Sequence, residues 1–402
     1  MDKAAISEIV ARAGAGTPPS LEEAEAIVSL KPGPAAEALF SGASKLRDEA
    51  GGSLVFLYGF VYLSTYCRNN CAFCHYRSEL AGLSRYRKSL EEIVAAAEAL
   101  KEGGVHLIDL TMGEDEGLIR GRGFEELLEI VRAVRQKTRL PVMLSPGRLS
   151  AEKLRKAKEA GADWYALYQE TSNRELFKLW RRGQDFDSRL KAKREAIEAG
   201  LLVEDGMLLG AGAAPKDLAE SISAFRSLPA SQVRAMTYVP SPGGLPKDPA
   251  GHGSFQELLA IAALRLSQPL ALIPASLDVE GLSGLAPRMR AGANVVTSII
   301  EAGSKLAGVA SKDLDIENRR RGAEMAKKEL ERLSLAAASQ EDYLEKLRSL
   351  KAQAGARIEG PQKSAPETWP LSELKAPRAA KLSKESSQAE RPQALGQMRA
   401  PK

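Results

Sequence analysis

The sequence predicts an α/β protein: a (β/α)8 TIM barrel with N-terminal helices ahead of it and a disordered C-terminal tail behind. Three observations carry this. Short apolar segments alternate with helical ones eight times. The span from Leu54 to Glu301 is about 250 residues, the usual length of such a barrel. The apolar segments also lack polar alternation, as expected of strands covered on both faces. An open doubly wound sheet is the runner-up, but its first strand would lead into a glycine-rich phosphate turn, and here that strand leads into cysteines.

Residues 1–50 place apolar and charged side chains at helical spacing, broken at Lys31-Pro32-Gly33-Pro34, which predicts two or three short helices within a segment 1–52. Residues 54–63, rich in β-branched and aromatic side chains, read as a buried first strand. Helices are then expected over 89–102, 123–136, 151–160, 174–199, 215–227 and 254–267, with a short turn or helix near 281–291. The intervening strands are expected at 105–111, 141–145, 163–168, 203–209, 233–239, 270–274 and 294–299. The barrel so defined occupies residues 53–303. A C-terminal helical segment follows over 304–340, with a charged helix at 314–335, and then a tail over 341–402 that is helical at first. After Gly355, Pro, Gln, Ser, Ala, Lys and Arg dominate, so burial cannot offset ordering entropy and disorder is expected.

The formal charge of +5, from 57 basic and 52 acidic residues, is too small an excess to suggest nucleic-acid binding. The N-terminus has no basic head leading into an apolar run. The longest uncharged apolar run, 53–67, falls short of the roughly 20 residues that span a bilayer, so no membrane partner and a cytoplasmic location are expected.

The only cysteines, Cys67, Cys71 and Cys74, fall within eight positions directly after the first strand. In a reducing compartment, and with one thiol left over, they suit a metal better than a disulfide. Their Cys-x3-Cys-x2-Cys spacing can hold three irons of a cubane and leave the fourth open. Zinc is the alternative, but it normally takes four ligands. His75, adjacent to Cys74, is badly placed to complete a tetrahedron, and His106 and His252 lie elsewhere in the chain.

In a barrel, chemistry sits on the loops after the strands, which gathers Thr111 to Asp115, Tyr168 to Thr171, Gly206 to Gly210, Arg234 to Pro240 and Pro274 to Asp278 at one mouth. Asp109, Arg234, Ser276 and Asp278 bring both charge signs there. Buried charges either neutralise one another or await a ligand of complementary charge, and the sequence leaves both open.

Together with Phe73 just before the last cysteine, this loop resembles the signature of the radical S-adenosylmethionine (SAM) superfamily. The wider segments FLYGFVYLSTYCRNNCAFCHYR, GVHLIDLTMGED, QVRAMTYVP, IPASLDVEGL and AGANVVTSII are similar to its biotin-synthase-like branch, and within it to the lysine mutases of pyrrolysine biosynthesis. The resemblance implies a 4Fe-4S cluster on Cys67, Cys71 and Cys74, with SAM on the open iron. It also implies conversion of L-lysine to 3-methylornithine by 5'-deoxyadenosyl radical hydrogen abstraction, fragmentation and recombination. No catalytic side chain is then needed, because the radical arises on the cofactor, and a reductase, flavodoxin or ferredoxin would supply the electron.

For SAM, the resemblance implies contacts from Phe73, from Met112, Gly113 and Glu114, where the superfamily has a glycine-glycine-glutamate motif, and from Glu170, Arg189, Gly206 and Met207. For the substrate it implies Arg234 and Ser276 at the carboxylate and Asp109 and Asp278 at the amino groups, with Ser172 nearby. A sulfur-inserting relative would need further cysteines, and none exist. A hydrogenase-maturation enzyme of the same branch and a non-catalytic iron-sulfur or zinc protein are the competing readings.

Overall fold

A computed structural model describes residues 1–228, 230–246, 253–301 and 321–359. Three helices come first, α1 (Lys3–Gly14), α2 (Leu21–Val28) and α3 (Pro34–Gly51). The barrel follows as β1 (Leu54–Ser64), α4 (Leu90–Glu102), β2 (Leu107–Met112), α5 (Glu116–Ile119), α6 (Gly121–Thr138), β3 (Val142–Ser145), α7 (Ala151–Glu159), β4 (Trp164–Ala166), α8 (Arg174–Trp180) and α9 (Phe186–Glu198). It continues with β5 (Leu202–Leu209), α10 (Pro215–Ser227), β6 (Gln232–Thr237), α11 (Gly253–Ser267), β7 (Pro274–Ser276), α12 (Leu285–Arg290) and β8 (Val295–Ile299). Then come α13 (Ala323–Arg332), β9 (Ala336–Ala337) and α14 (Gln340–Glu359).

The eight strands pair in parallel in the order β6-β5-β4-β3-β2-β1-β8-β7. The ring is completed by a bridge between Gln232 and Leu272, where Val233 N–H donates to the Leu272 carbonyl at 3.0 Å and Leu272 N–H to the Ser231 carbonyl at 3.1 Å. The expected (β/α)8 barrel is therefore present. Capping boxes start α2 at Ser20 and α4 at Ser89, each with a glutamate at the third helical position, so these two boundaries follow from local sequence. One continuous apolar core joins Ile6, Ile27 and Leu39 of the N-terminal helices to the strands and to Leu330 and Tyr343 of the C-terminal ones. No helix among the described residues is long and apolar enough to cross a membrane.

Three details differ from expectation. The seventh strand forms at Pro274–Ser276 rather than 270–274, because the stretch before it makes the closing bridge and Ile273 N–H is taken by the Asn294 side chain at 2.8 Å. The helix expected over 174–199 is two helices. Gly183 turns at φ +73° between them, and Asp185 restarts the second by accepting from Ser188 N–H at 2.7 Å. A ninth short strand was not foreseen. It pairs with Leu54 and Val55, and it brings Tyr343 of α14 to Tyr58, hydroxyl to hydroxyl at 2.9 Å. His106 joins this clasp by accepting from Leu57 N–H on one ring nitrogen and donating to the Ala338 carbonyl from the other, both at 2.8 Å. Of the helix expected at 314–335, residues 323–332 form α13 and 314–320 lie outside the described residues; of the disordered tail expected after Gly355, residues 356–359 instead continue α14 and the rest lies outside the described residues.

Candidate active site

β1 is buried along nearly its whole length and ends at Ser64, so the cysteine loop leaves the barrel at its C-terminal mouth. Cys67, Cys71, Cys74 and Phe73 line a chamber there, with Met112, Gly113, Glu114, Glu170, Arg189, Arg234, Ser276 and Asp278. The loop is fixed by its backbone. Ala72 N–H donates to the Trp180 carbonyl at 2.8 Å, and Ala72 in turn accepts from Leu245 N–H at 3.1 Å. Arg68 N–H donates to the Glu114 carbonyl at 3.0 Å, and Gly113 N–H to the Ser64 carbonyl at 3.0 Å. A Cβ on Gly113 would overlap the Tyr66 carbonyl and crowd Cys67, so the loop after β2 approaches the cysteine loop as only glycine permits.

The two acids of that loop divide their work. Asp115 accepts from Ser64 Oγ at 2.6 Å, from Arg87 Nε at 2.6 Å and from Gly117 N–H at 2.9 Å, which caps α5. Burial would raise its carboxyl, but Arg87 and Ser64 hold it below the usual range. Asp115 is thus a structural clamp. Glu114 faces the chamber while Arg68, Asn69 and the Arg148 N–H steady its carboxylate.

Glu170, at the end of the fourth barrel unit, adopts φ +71°, a left-handed conformation uncommon for a non-glycine residue. It is held there by Glu170 N–H donating to the Gly206 carbonyl and its own carbonyl accepting from Leu208 N–H, both at 2.9 Å. Arg181 Nη2 donates to Glu170 Oε1 at 2.7 Å and to the Tyr168 carbonyl at 2.8 Å, and Arg189 Nη2 reaches that same carbonyl at 2.7 Å. Gln184 Nε2 sits 2.9 Å from Cys71 Sγ, and Gln184 Oε1 accepts from Arg189 Nη1 at 3.1 Å. Glu170 Oε2, Arg181 Nε and Arg189 Nε are buried without partners. Burial, with Arg181 beside it, pushes the Arg189 guanidinium down to about 10.

Deeper in the barrel lies the charged floor. Arg234 Nε donates to Glu204 Oε1 at 2.8 Å and Nη1 to Thr297 Oγ1 at 3.1 Å, while Tyr168 OH donates to Glu204 Oε2 at 3.2 Å. Arg234 Nη2 has no partner. Asp278 accepts from Ser298 Oγ at 2.8 Å, from Tyr62 OH at 3.2 Å and from Arg321. Burial would raise its carboxyl, but Arg321 and Ser298 keep it below the ordinary value. Ser276 Oγ lies 3.3 Å from Asp278 Oδ2.

Four expected contacts are placed differently. Asp109 does not line the chamber. It lies beneath the floor, accepting from Ser145 Oγ at 2.9 Å, and burial next to Glu204 pushes its carboxyl up to about 8. Ser172 is off the wall, its N–H committed to Ser221 Oγ on α10 at 3.0 Å. Strand alternation turns Met207 with Asp205 toward the helices, where Asp205 pairs with Lys193 of α9, and Met207 is fully buried in the core. Gly206 faces inward, but its missing side chain makes room for others: a Cβ there would meet Met236 at 3.0 Å and Tyr168 at 3.2 Å.

Sequence reasoning missed Glu204, Arg181 and Arg321. A Glu204-Asp205 pair inside an otherwise apolar fifth strand was the available signal for the first, and the Arg181-Arg182-Gly183 stop signal for the second.

The donor set fits a cluster with an open iron. No group of three or more His, Cys, Asp or Glu donors among the described residues closes on a single-ion position, and three thiolates that each bind a different iron need no such closure. Orphaned polar atoms beside the thiolates suit a zwitterionic amino-acid end, and the apolar wall of Trp180, Leu208, Ala211 and Tyr238 suits the exclusion of water.

The radical SAM superfamily model matches residues 61–225. Fold and site together define a radical SAM enzyme. The 3-methylornithine synthase of Methanosarcina acetivorans is 41% identical over 322 residues, covering 80% of this chain and 91% of that protein; the Methanosarcina barkeri protein is also 41% identical, over 79% and 90%. The chain belongs to the 3-methylornithine synthase family. A crystal structure of methylornithine synthase superposes with a TM-score of 0.80 at 38% identity, over 84% of this chain and 99% of that one. The FeFe hydrogenase maturase subunit HydE of Thermotoga maritima is 31% identical over 65% of this chain and 74% of its own.

Proposed function

We infer that this chain is a radical SAM lysine mutase, converting L-lysine to 3-methylornithine for pyrrolysine biosynthesis. The observation that carries the reading is 41% identity spanning 91% of a 3-methylornithine synthase, with the barrel and the three-cysteine loop intact. The competing maturase reading has lower identity and coverage behind it. When bound, a 4Fe-4S cluster and SAM supply a 5'-deoxyadenosyl radical, which is the hard chemistry of the reaction.

The protein's residues do the holding. Cys67, Cys71 and Cys74 bind the cluster. Glu170 Oε2, Arg189, Glu114 and the backbone at Met112 and Gly113 receive the amino-acid end of SAM, with Phe73 against its side, and Arg181 keeps Glu170 aimed. Arg234 Nη2 and the Ser276 hydroxyl take the lysine carboxylate. Asp278 takes an ammonium in exchange for its ion pair with Arg321, whereas Asp109 keeps its proton and serves as floor. An uncompensated guanidinium donor beside a carboxylate in one closed chamber selects a ligand carrying both charges.

In this reading residues 53–303 are the catalytic unit, and residues 1–52 and 321–340 brace it. A small reductase, flavodoxin or ferredoxin delivers the electron, in the cytoplasm. The test is anaerobic incubation of reconstituted protein with SAM, a reductant and L-lysine, followed by chromatography and mass spectrometry. A new isomer of lysine is expected; SAM cleavage with lysine recovered unchanged would overturn the substrate.

A further inference from the structure

At the opposite end of the barrel, below the N-terminal ends of β1 and β8, lies a second cavity of about 380 Å³ that the reaction does not use. Its walls come from the end of α3, the loop before β7 and the outer face of α14, and they include Arg47, Arg265, Lys346, Leu54 and Phe56. The cations there are unequally matched. Arg47 has Asp48 at 2.8 Å. Arg265, only 1% exposed, donates to backbone carbonyls alone: Gly292 at 2.9 Å, Pro269 at 2.7 Å and Ala271 at 3.0 Å. Its Nη2 is buried with no partner. Lys346 Nζ likewise donates to a carbonyl, that of Leu270, at 2.9 Å.

The acids on the rim are committed or turned out to solvent. Asp342 accepts from Ser339 N–H at 2.8 Å and caps α14, Glu49 is exposed beside Lys45, and Glu345 is exposed. Two cations thus share one cavity with no carboxylate against either. Burial, with Arg265 nearby, lowers the Lys346 ammonium to about 8, and burial beside Arg47 lowers Arg265 to about 9 despite the opposing pull of Asp48.

We propose that this cavity is a binding site for a small anion, a phosphate or carboxylate group with a short apolar body, seated on Arg265 Nη2 and Lys346 Nζ against Leu54 and Phe56. A guanidinium held rigid by three carbonyls presents its one uncommitted nitrogen, Nη2, as a preset donor for such an oxyanion. The site lies across the barrel from the cysteine loop and does not depend on the reaction assigned above.

The test is thermal unfolding of the full-length holoprotein in rising inorganic phosphate, and separately in citrate, each against chloride at equal ionic strength. The wild type should gain stability with the logarithm of phosphate or citrate concentration. Whichever of the two acts at lower concentration identifies the head group. Arg265→Met and Lys346→Met should each weaken the apparent affinity by roughly tenfold or more, the loss of one charge-assisted hydrogen bond, while SAM cleavage is unchanged. Lys346→Met keeps the test valid should Arg265→Met not fold. Equal unfolding temperatures in phosphate, citrate and chloride, or an anion effect in the Lys346 variant that sets in at the same concentration as in the wild type, would overturn the proposal.

Discussion

At the scale of single residues, the charged floor is where the structure adds most. Asp109 looked in the sequence like a carboxylate waiting for an ammonium. Its burial and its place next to Glu204 make it a proton-bearing acid near neutrality instead. The sign of the consequence follows. The unfolded chain releases this proton in the ordinary carboxylate range, near 3.8, whereas the folded protein keeps it to about 8. The group's contribution is therefore fully present at low pH and is lost as pH rises toward 8. Asp109→Asn, which mimics the protonated form, should be more stable than wild type at pH 8, with the gain shrinking toward pH 5 in urea titrations. Turnover of lysine should persist. Glu204 is fully buried and accepts from Arg234 Nε at 2.8 Å. Glu204→Leu leaves that guanidinium buried and unpaired, at a cost of about 3–5 kcal/mol. It should also raise the KM for lysine at least tenfold by reorienting Arg234, with SAM cleavage as the unaffected control. Pairing of this kind was not legible beforehand, because which residues face each other across a barrel depends on register, and a one-residue change turns a side chain from the lumen to the helices.

At the scale of elements, the alternation of strands and helices was legible nearly throughout, since apolar periodicity and capping residues are local signals. The failures were also local. A helix expected over 174–199 breaks at Gly183, and Arg181, just before the break, pairs with Glu170. The loop after β2 carries the sharpest element-level prediction. Gly113→Ala places a methyl group against the Tyr66 carbonyl and Cys67, so the cysteine loop must move while the barrel stays folded. Iron content and the cluster's visible absorption after reconstitution should fall severely, with far-ultraviolet circular dichroism unchanged. The cysteines themselves were plain in the sequence. Their glycine neighbour was visible as a motif, but its reason, a close approach of two backbones, was not.

At the scale of the whole molecule, the barrel is held from below by its C-terminal clasp. The hydroxyls of Tyr58 and Tyr343 pair at 2.9 Å in a fully buried position, next to His106, which bridges β1 and the backbone after β9. Tyr343→Phe should lower stability by about 1–3 kcal/mol, the cost of one unsatisfied buried hydroxyl, read as a lower midpoint in denaturant, and leave lysine isomerisation intact. The clasp was missed because a two-residue strand has no periodicity to detect.

Arg321 carries a separate consequence. It is contributed after the eighth strand, yet it pairs with Asp278 inside the chamber. During synthesis the cysteine loop and every strand leave the ribosome before this guanidinium does. A chain stopped at residue 301 therefore has a complete ring of strands and a complete set of thiolates, but an Asp278 stripped of its resident cation. Assembly of the radical source and assembly of the charge filter for the substrate are then separable in time, and the filter comes last.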